Sequence, residues 1–372
     1  MRHYLVTGGM GFIGSHLVSL LLEDADAHVT VVDSLMNKVF APSRIVEEIS
    51  RGKPGKLDVQ LVSVAEFEPQ QRFERIFHLA SVVGPAAVLN YSGFITESIV
   101  RDTYKMIRLA QEHGAQLVNI STSEVYGGGD RGFCQEETPR VFRGPASARQ
   151  EYATGKAACE VSIANLCSTG KLSSVTIRPF NVSGVRQLGQ GGFVLPRFIG
   201  QAMEGLPLSV FGDGVQVRAF TDVRDVVSGI LTASERGTSG EVYNVGNPAN
   251  RITIRELAAL VLRVTKSESE IRLVDPKVLY GEHYEEAADK FPDATKIMGL
   301  GWRPRYPLDQ TVKAVHEWFL TLPRELMLQT SGLSPSPGTV SQDRTKRIDS
   351  QHTRAEVVSV EKEGNITKYV YQ

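Results

Sequence analysis

Tyr152 and Lys156 stand one helical turn apart in "EYATGKAACEVSIANL", a stretch whose pattern predicts a helix, so both side chains leave it on one face. An ammonium beside a phenol favours the phenolate, which makes such a tyrosine a general base usable near neutral pH. Y-x-x-x-K is common by itself, and its weight here comes from the residues before it. The apolar run "QLVNI" leads straight into Ser121, Thr122, Ser123 and Glu124, so a buried strand is predicted to end on a cluster of hydroxyls and one carboxylate.

A third group sits at the start of the chain. "HYLVTGGMGFIGSHLVSLLL" reads as a short apolar strand, a glycine turn and an amphipathic helix, and "HVTVVDSL" as a second strand. Gly8, Gly11 and Gly14 have the spacing G-x-x-G-x-x-G. Glycines there let the backbone approach a pyrophosphate, and the helix N-terminus offers it free N–H groups and partial positive charge. Asp33 ends the second strand, where a carboxylate can bind the adenosine ribose hydroxyls and would repel a 2′-phosphate. The expected cofactor is therefore NAD rather than NADP.

The elements that must position these groups alternate. After the first β-α-β unit come "ERIFHLAS", a helix ending at "LAQEHG", "QLVNISTS", the Tyr152 helix and "SSVTIRPFNVSG". Strands apolar on both faces, separated by helices, predict an α/β fold of Rossmann type, a doubly wound parallel sheet covered on both sides. From about Phe193 the chain becomes punctuated by Gly and Pro, which predicts a smaller C-terminal α/β lobe. The expected division is a dinucleotide-binding domain over 1–192 with crossovers to the second lobe, a substrate lobe over 193–322, and a polar linker with a C-terminal hairpin over 323–372. The hairpin is read from "AEVVSVEKEGNITKYVY", which alternates apolar and polar residues on both sides of Gly364-Asn365.

Composition narrows the function. The chain has 372 residues, enough for a large core, and a formal net charge of −1, without the basic surplus that steers proteins to nucleic acid or anionic lipid. Cys134, Cys159 and Cys167 form no C-x-x-C pair and are odd in number, so neither a disulfide framework nor a metal site is expected. The N-terminus enters a strand directly and no run approaches membrane-spanning length, so a soluble cytoplasmic enzyme is expected.

With these residues in place, the chain resembles the extended short-chain dehydrogenase/reductases that act on nucleotide sugars with NAD. The carrying motifs are "TGGMGFIG", "HLAS", "STSEVYG", "YATGK", "RPFNVSG", "VFGDGVQVRAF" and "LGWRP", within residues 1–322. The resemblance implies a homodimer formed through helices such as that of Tyr152, and a nucleoside-diphosphate sugar as substrate. It implies that Thr122 hydrogen-bonds the sugar 4-oxygen while Tyr152 removes its proton and C4 gives up a hydride. Lys156 would bind the nicotinamide ribose and hold the tyrosine ionised. The implied cofactor set is Gly8, Gly11, Phe12, Ile13, Gly14, Asp33, Leu79, Ala80, Ser81, Tyr152 and Lys156. Arg149, Asn181, Arg186, Val194, Phe211, Arg218 and Lys290 form the implied substrate set, with Asn181 and Arg218 on the diphosphate. Arg218 could instead simply pair with Asp222 or Asp225.

Within that family the catalytic group Thr122, Ser123, Glu124, Tyr152 and Lys156 most resembles the UDP-glucuronate decarboxylases. A 4,6-dehydratase would need an acid where Ser123 stands, and a simple 4-epimerase has no use for Glu124. In a 4-keto uronate the carboxylate on C5 is β to the ketone, so loss of CO₂ leaves an enolate that Thr122 and Tyr152 can stabilise as donors. Glu124 would either place negative charge beside the substrate carboxylate or help deliver a proton to C5, and Arg149 would orient that carboxylate. The alternatives are a 4- or 5-epimerase, then a 4,6-dehydratase, and outside enzymes a dinucleotide-sensing protein. Several positions depart from the related decarboxylases. "VVGPAAVLNYSG" replaces a different Pro-rich stretch, and the third strand, expected to end at "LVSVAEF", lacks an Asp that reads adenine. Ser98 or Ile99 replaces an Asn near the nicotinamide, and Lys290 replaces an Arg that contacts phosphate.

Overall fold

Strands buried on both faces need helices on both sides, and the strands of the first half meet that condition. The structure, a computed structural model, describes residues 1–35, 39–127, 132–142, 147–275 and 289–333, with backbone alone for Pro85, Ala86, 357–363 and 366–371. β1 (Arg2–Thr7) is buried from Tyr4 onward, and β2 (Ala27–Val32) everywhere but His28. α1 (Phe12–Leu21) lies between them, followed by α2 (Pro42–Ser50), whose proline presets the first helical φ. Next come β3 (Lys56–Gln60), β4 (Arg75–His78), α3 (Pro85–Asn90), α4 (Ile95–His113), β5 (Gln116–Ile120) and the two-residue β6 (Phe133–Cys134). α5 (Ala148–Ser168) carries Tyr152 and leads to β7 (Ser173–Pro179) and β8 (Val182–Ser183). α6 (Val194–Met203), β9 (Leu208–Phe211), β10 (Val217–Ala219), β11 (Thr221–Asp222) and α7 (Val223–Arg236) then return the chain to the sheet at β12 (Val242–Val245).

The main sheet has seven strands in the order β12-β7-β5-β4-β1-β2-β3, all parallel. The order reverses between β1 and β4, which opens a crevice at their carboxyl ends, where open α/β sheets bind ligands. The glycine turn after β1, the "HLAS" segment after β4 and the hydroxyl cluster after β5 all lie along that edge. One face is filled by α1 and α7 side chains such as Leu17, Val18, Val226 and Ile230, and the other by α4 residues such as Met106 and Ile107. β3 closes at Gln60, so the segment expected to end the third strand lies beyond it.

The second lobe has its own core, in which Leu195 and Phe198 of α6 meet Leu257 and Val261 of α8 (Ile254–Thr265). Thr253 and Glu256 form a reciprocal capping box that fixes the start of α8. β13 (Arg251–Thr253) pairs with β10, and β14 (Ile271–Val274) with β9. β15 (Phe291–Pro292) pairs with β6 of the first half. Helices α9 (Thr295–Gly299), α10 (Leu308–Leu320) and α11 (Arg324–Ser331) complete the lobe. α11 corrects the expectation of a linker from residue 323: Met327 is buried in the lobe core with Leu326 and Leu328 packed beside it. Three adjacent apolar residues suffice there because neighbouring helices supply the rest of the pocket. β16 (Val357–Glu363) and β17 (Ile366–Tyr371) pair antiparallel. The remainder of the expected linker, 334–356, and the Gly364-Asn365 turn lie outside the described residues.

Deep in the sheet edge, Arg178 of β7 forms two hydrogen bonds to Glu160 of α5, Nε to Oε1 at 3.0 Å and Nη2 to Oε2 at 2.6 Å, with both side chains 1% exposed. Breaking such a pair from one side strands a buried charge. Arg178→Met should therefore destabilise the fold by about 3–5 kcal/mol, measured by urea unfolding; a change below about 1 kcal/mol would show that the pair is not held as described.

Candidate active site

β5 delivers its cluster by stopping. Ser121 N–H donates to Ile177 O at 2.8 Å, the last backbone bond to β7, and Thr122 then caps a single 3₁₀ turn over Ser123–Tyr126. Its Oγ1 accepts from Glu124 N–H at 3.1 Å, as an N-cap does. The turn holds Ser123 buried and points Glu124 along the crevice side. α5 begins at the N-cap Ser147, whose hydroxyl accepts from Gln150 N–H at 3.3 Å, and runs past the end of β5. The Thr122 hydroxyl is near enough to the Tyr152 phenol to lower its pKa, and Lys156 Nζ donates to Ile120 O at 2.9 Å. Ile99 of α4 is buried against Tyr152, whereas Ser98 turns back to Ile95 O at 2.9 Å, so Ile99 is the residue that faces the reacting pair.

Burial raises the Tyr152 pKa; the Thr122 hydroxyl opposes that, and the Glu124 charge adds to it. Lys156 does not offset this. Its own burial lowers it to about 8, against the raising influence of Cys159, Glu160 and Asp102. In the chain alone, then, burial is the largest influence on Tyr152 and it favours the protonated phenol. His78, at the end of β4, is kept neutral by burial and then by Lys156, which bring it down to about 3, and its ring bridges Thr7 Oγ1 at 2.8 Å and Thr103 Oγ1 at 3.2 Å.

Glu124 lies between two cations. Oε2 accepts from Arg149 Nη1 at 2.9 Å and Oε1 from Lys290 Nζ at 2.6 Å. Burial alone would raise its pKa; Lys290 and Arg149 reverse that and bring it down to about 2. In the chain alone Glu124 is therefore held as an anion. Lys290 is 4% exposed and bonded to this carboxylate, with burial lowering its pKa.

The glycine turn fits a dinucleotide. Gly8 has φ +72°, and a Cβ on it would lie 2.9 Å from Ala80 N; a Cβ on Gly14 would lie 2.1 Å from Gly8 O. Gly11 is the N-cap of α1 and brings no side chain, so the first N–H groups of that helix, at Phe12 and Ile13, face a bare turn. Asp33 Oδ2 accepts from Met10 N–H at 3.0 Å and Oδ1 from Leu35 N–H at 2.8 Å, which fixes the carboxylate while leaving lone pairs for hydroxyl donors. Leu79 and Ala80 are pinned to β1 through Thr7, by N–H bonds to its carbonyl at 3.1 Å and to its hydroxyl at 3.2 Å, and Ser81 follows at the crevice.

The remaining substrate candidates divide. Arg218 is 8% exposed, and its Nη1 donates to Asp289 Oδ1 at 3.1 Å and to Val217 O at 2.8 Å, beside Lys290. Its acidic partner is thus neither Asp222, which binds Arg224 and Thr311, nor Asp225, which accepts from Arg305 and Tyr306 N–H. Asn181 adopts φ +36° and donates to Ala219 O at 3.2 Å. Val194 opens α6, and Phe211 lies under the Arg197 guanidinium at 4.0 Å. Arg186 sits apart, its Nε 3.4 Å from His16 on α1, nearer the glycine turn than the hydroxyl cluster.

The family model described as the NAD dependent epimerase/dehydratase family matches residues 4–246. The chain belongs to that family. NAD is its cofactor, and its members act on nucleotide sugars as epimerases, dehydratases and decarboxylases. The UDP-N-acetyl-alpha-D-glucosaminuronate decarboxylase of Bacillus cytotoxicus is 31% identical over 324 residues, covering 86% of this chain and 98% of that protein. UDP-glucuronic acid decarboxylase 1 of Danio rerio is 32% identical over 320 residues, covering 86% of this chain and 72% of that protein. Among solved structures, the UDP-glucose 4-epimerase of Thermotoga maritima with UDP-glucose superposes with a TM-score of 0.74 at 26% identity, covering 86% of this chain and 99% of that one. No described helix is long and apolar enough to cross a membrane.

Sequence reasoning missed Glu160, Arg178 and Arg140, whose Nη2 donates to Glu160 Oε2 at 2.6 Å, and it missed the Glu124–Lys290 pairing across 166 residues. Arg178 stands inside the quoted "RPFNVSG", but nothing local marks it as buried. The Glu124 pair gives a signed prediction. Its folded-state pKa lies below the ordinary 4.5, so its stabilising contribution is complete above about pH 4.5 and is lost as pH falls toward about 2. Glu124→Gln should destabilise the protein more at about pH 6 than at about pH 3 by urea unfolding, and equal losses at both would contradict the pairing.

Proposed function

We propose that the chain oxidises C4 of a UDP-linked uronate and then releases its carboxylate as CO₂. The observation that carries this reading is the Arg149–Glu124–Lys290 cluster, two cations and one ionised acid set on the same strand end as Thr122. Two cations around one carboxylate leave net positive charge on that wall, which suits a second carboxylate on a sugar. The names of the two decarboxylase relatives support the same choice.

In this reading the sugar 4-hydroxyl lies on Thr122 and Tyr152. Tyr152 takes its proton once ligands bring the phenol within reach of ionisation, and C4 loses a hydride. Bound NAD supplies the acceptor for it. Arg149 and Lys290 hold the C5 carboxylate, so the C5–CO₂ bond is oriented against the new 4-ketone. Glu124, fixed as an anion, raises the energy of that carboxylate relative to neutral CO₂. When the bond breaks, its electron pair becomes an enolate on O4, held by the Thr122 hydroxyl and the Tyr152 phenol. The proton that later reaches C5 comes from a group other than Glu124.

By the same reading the enzyme is a cytoplasmic homodimer that joins through α4 and α5. Their outward faces leave Phe94 at the start of α4, Tyr104 and Val161 exposed at 59%, 36% and 53%. Light scattering should give twice the chain mass, and a monomer would remove that assembly.

The catalytic test uses UDP-glucuronate with NAD⁺ and follows CO₂ and the sugar product. CO₂ release supports the reading, whereas a retained carboxylate with inverted C4 makes the enzyme a 4-epimerase. Glu124→Gln should slow CO₂ release by about 10²-fold while leaving NAD affinity unchanged; an unslowed variant would remove Glu124 from the reaction.

A further inference from the structure

Glu151, the residue before Tyr152, faces away from the reacting centre toward the start of α4. That helix has Phe94 as its N-cap and no side-chain cap of its own, so its first N–H groups need partners from elsewhere. The Glu151 carboxylate provides them. Oε2 accepts from Gly93 N–H at 2.6 Å, and Oε1 from Ile95 N–H at 2.9 Å and Thr96 N–H at 3.2 Å. The bond is reciprocated, since Thr96 Oγ1 donates to the Glu151 carbonyl at 3.0 Å. A carboxylate at a helix N-terminus also meets the positive end of its dipole.

The contact lies where the two helices are closest. A Cβ on Gly155, one turn beyond Glu151, would stand 3.2 Å from Thr96 Cα and 3.3 Å from Ile99, the residue packed on Tyr152. Upstream of Gly93 the chain runs back through α3 to Ala80 and Ser81, which line the crevice. At its other end this segment is fixed at Gly84, where a Cβ would meet Gly191 O at 2.8 Å. The wall over residues 81–94 is thus packed closely at Gly84 against the 189–192 turn and bonded at Gly93 to the residue adjoining Tyr152.

We propose that Glu151 is a positioning residue: it sets the 81–94 wall and α4 in register with Tyr152, so that cofactor and sugar meet the phenol in a reactive arrangement. The proposal rests on the oxidation step common to the family and is independent of the fate of the keto sugar. Absence of CO₂ would therefore sink the decarboxylase reading without touching it.

The test is the transient reduction of bound NAD⁺, followed as NADH absorbance, with UDP-glucuronate, UDP-glucose and dTDP-glucose as probes. It is paired with amide hydrogen exchange at Gly93, Ile95 and Thr96, which needs no turnover. Glu151→Ala should speed exchange at those three amides and lower the reduction rate about tenfold or more, while NAD affinity stays within about threefold. Glu151→Gln, which keeps one acceptor oxygen for Ile95 and Thr96, should recover part of both. Wild-type exchange or a wild-type rate in Glu151→Ala overturns the proposal, as does a rate loss matched by an equal loss of NAD affinity. Should Glu151→Ala fail to fold, Glu151→Gln carries the test, and wild-type behaviour from it is the overturning result. If none of the three sugars reduces the bound cofactor, exchange decides alone.

Discussion

The reacting centre depends on one buried ion pair. Glu160 lies two turns beyond Tyr152 on α5, and its carboxylate takes both forks of Arg178 from β7, the Ser121 hydroxyl from the end of β5, and Arg140 from the segment after β6. Arg178 in turn reaches the Tyr126 phenol at 2.8 Å, and Tyr126 donates to Asn244 Oδ1 of β12 at 2.6 Å. Two strands, a helix and the 3₁₀ turn are thereby referred to one point. Buried pairs add little net stability over apolar packing of equal volume. Their physical effect here is register: Ser121 is next to Thr122, so the distance from Thr122 to Tyr152 is set by the fit of Ser121 to Glu160. Without that reference, a strand end and a helix face would meet only as closely as apolar packing allows.

Around that fixed geometry the charges oppose ionisation of the catalytic phenol. Tyr152 is raised by burial and by Glu124, His78 is neutral, and Lys156 gives one of its three donors to Ile120 O. A protein that kept a permanent tyrosinate would have to desolvate an anion with no ligand to justify it. Here the favourable charge has to arrive with the ligands. In the proposed reading proton removal is thereby tied to occupancy.

The parts of this arrangement differ in how far they could be read from the sequence, and the difference follows chain distance. The glycine turn, Asp33 and the Tyr152/Lys156 pair are local: each needs only a strand, a turn or a helix of known period, and the structure places each where that period puts it. The parallel order of the sheet followed from alternation, since crossovers through helices leave few topologies. Lys290 could not be placed on Glu124 because the two meet through a two-residue strand pair, Phe291 beside Phe133, which no periodicity announces. The Arg178 burial was hidden for a like reason, because an arginine in a strand reads as an edge residue until its partner is known. α11 was misread because composition averages over a window, and Met327 with its two neighbours is diluted by polar residues on both sides. Spacing places Lys156 near Tyr152 but does not show the burial that acts on both side chains.

Two kinds of position therefore build the site, and they are separable. The proposed oxidising set, Thr122, Tyr152 and Lys156, comes from the end of β5 and from α5, next to the Glu160 network of the first lobe. The wall that would choose among sugars is assembled from the strand-end turn, the start of α5 and the residue before β15, so Glu124, Arg149 and Lys290 come from three places and from both lobes. Lys290 and Arg149 are both bonded to Glu124, whereas Thr122 adjoins Ser121, which is bonded to Glu160. That separation is the physical condition under which one oxidation centre can serve decarboxylation, epimerisation and dehydration within a single family. In the proposed reading the β6–β15 pairing, two residues long, is what carries Lys290 to Glu124, and so the chemistry after oxidation would turn on it.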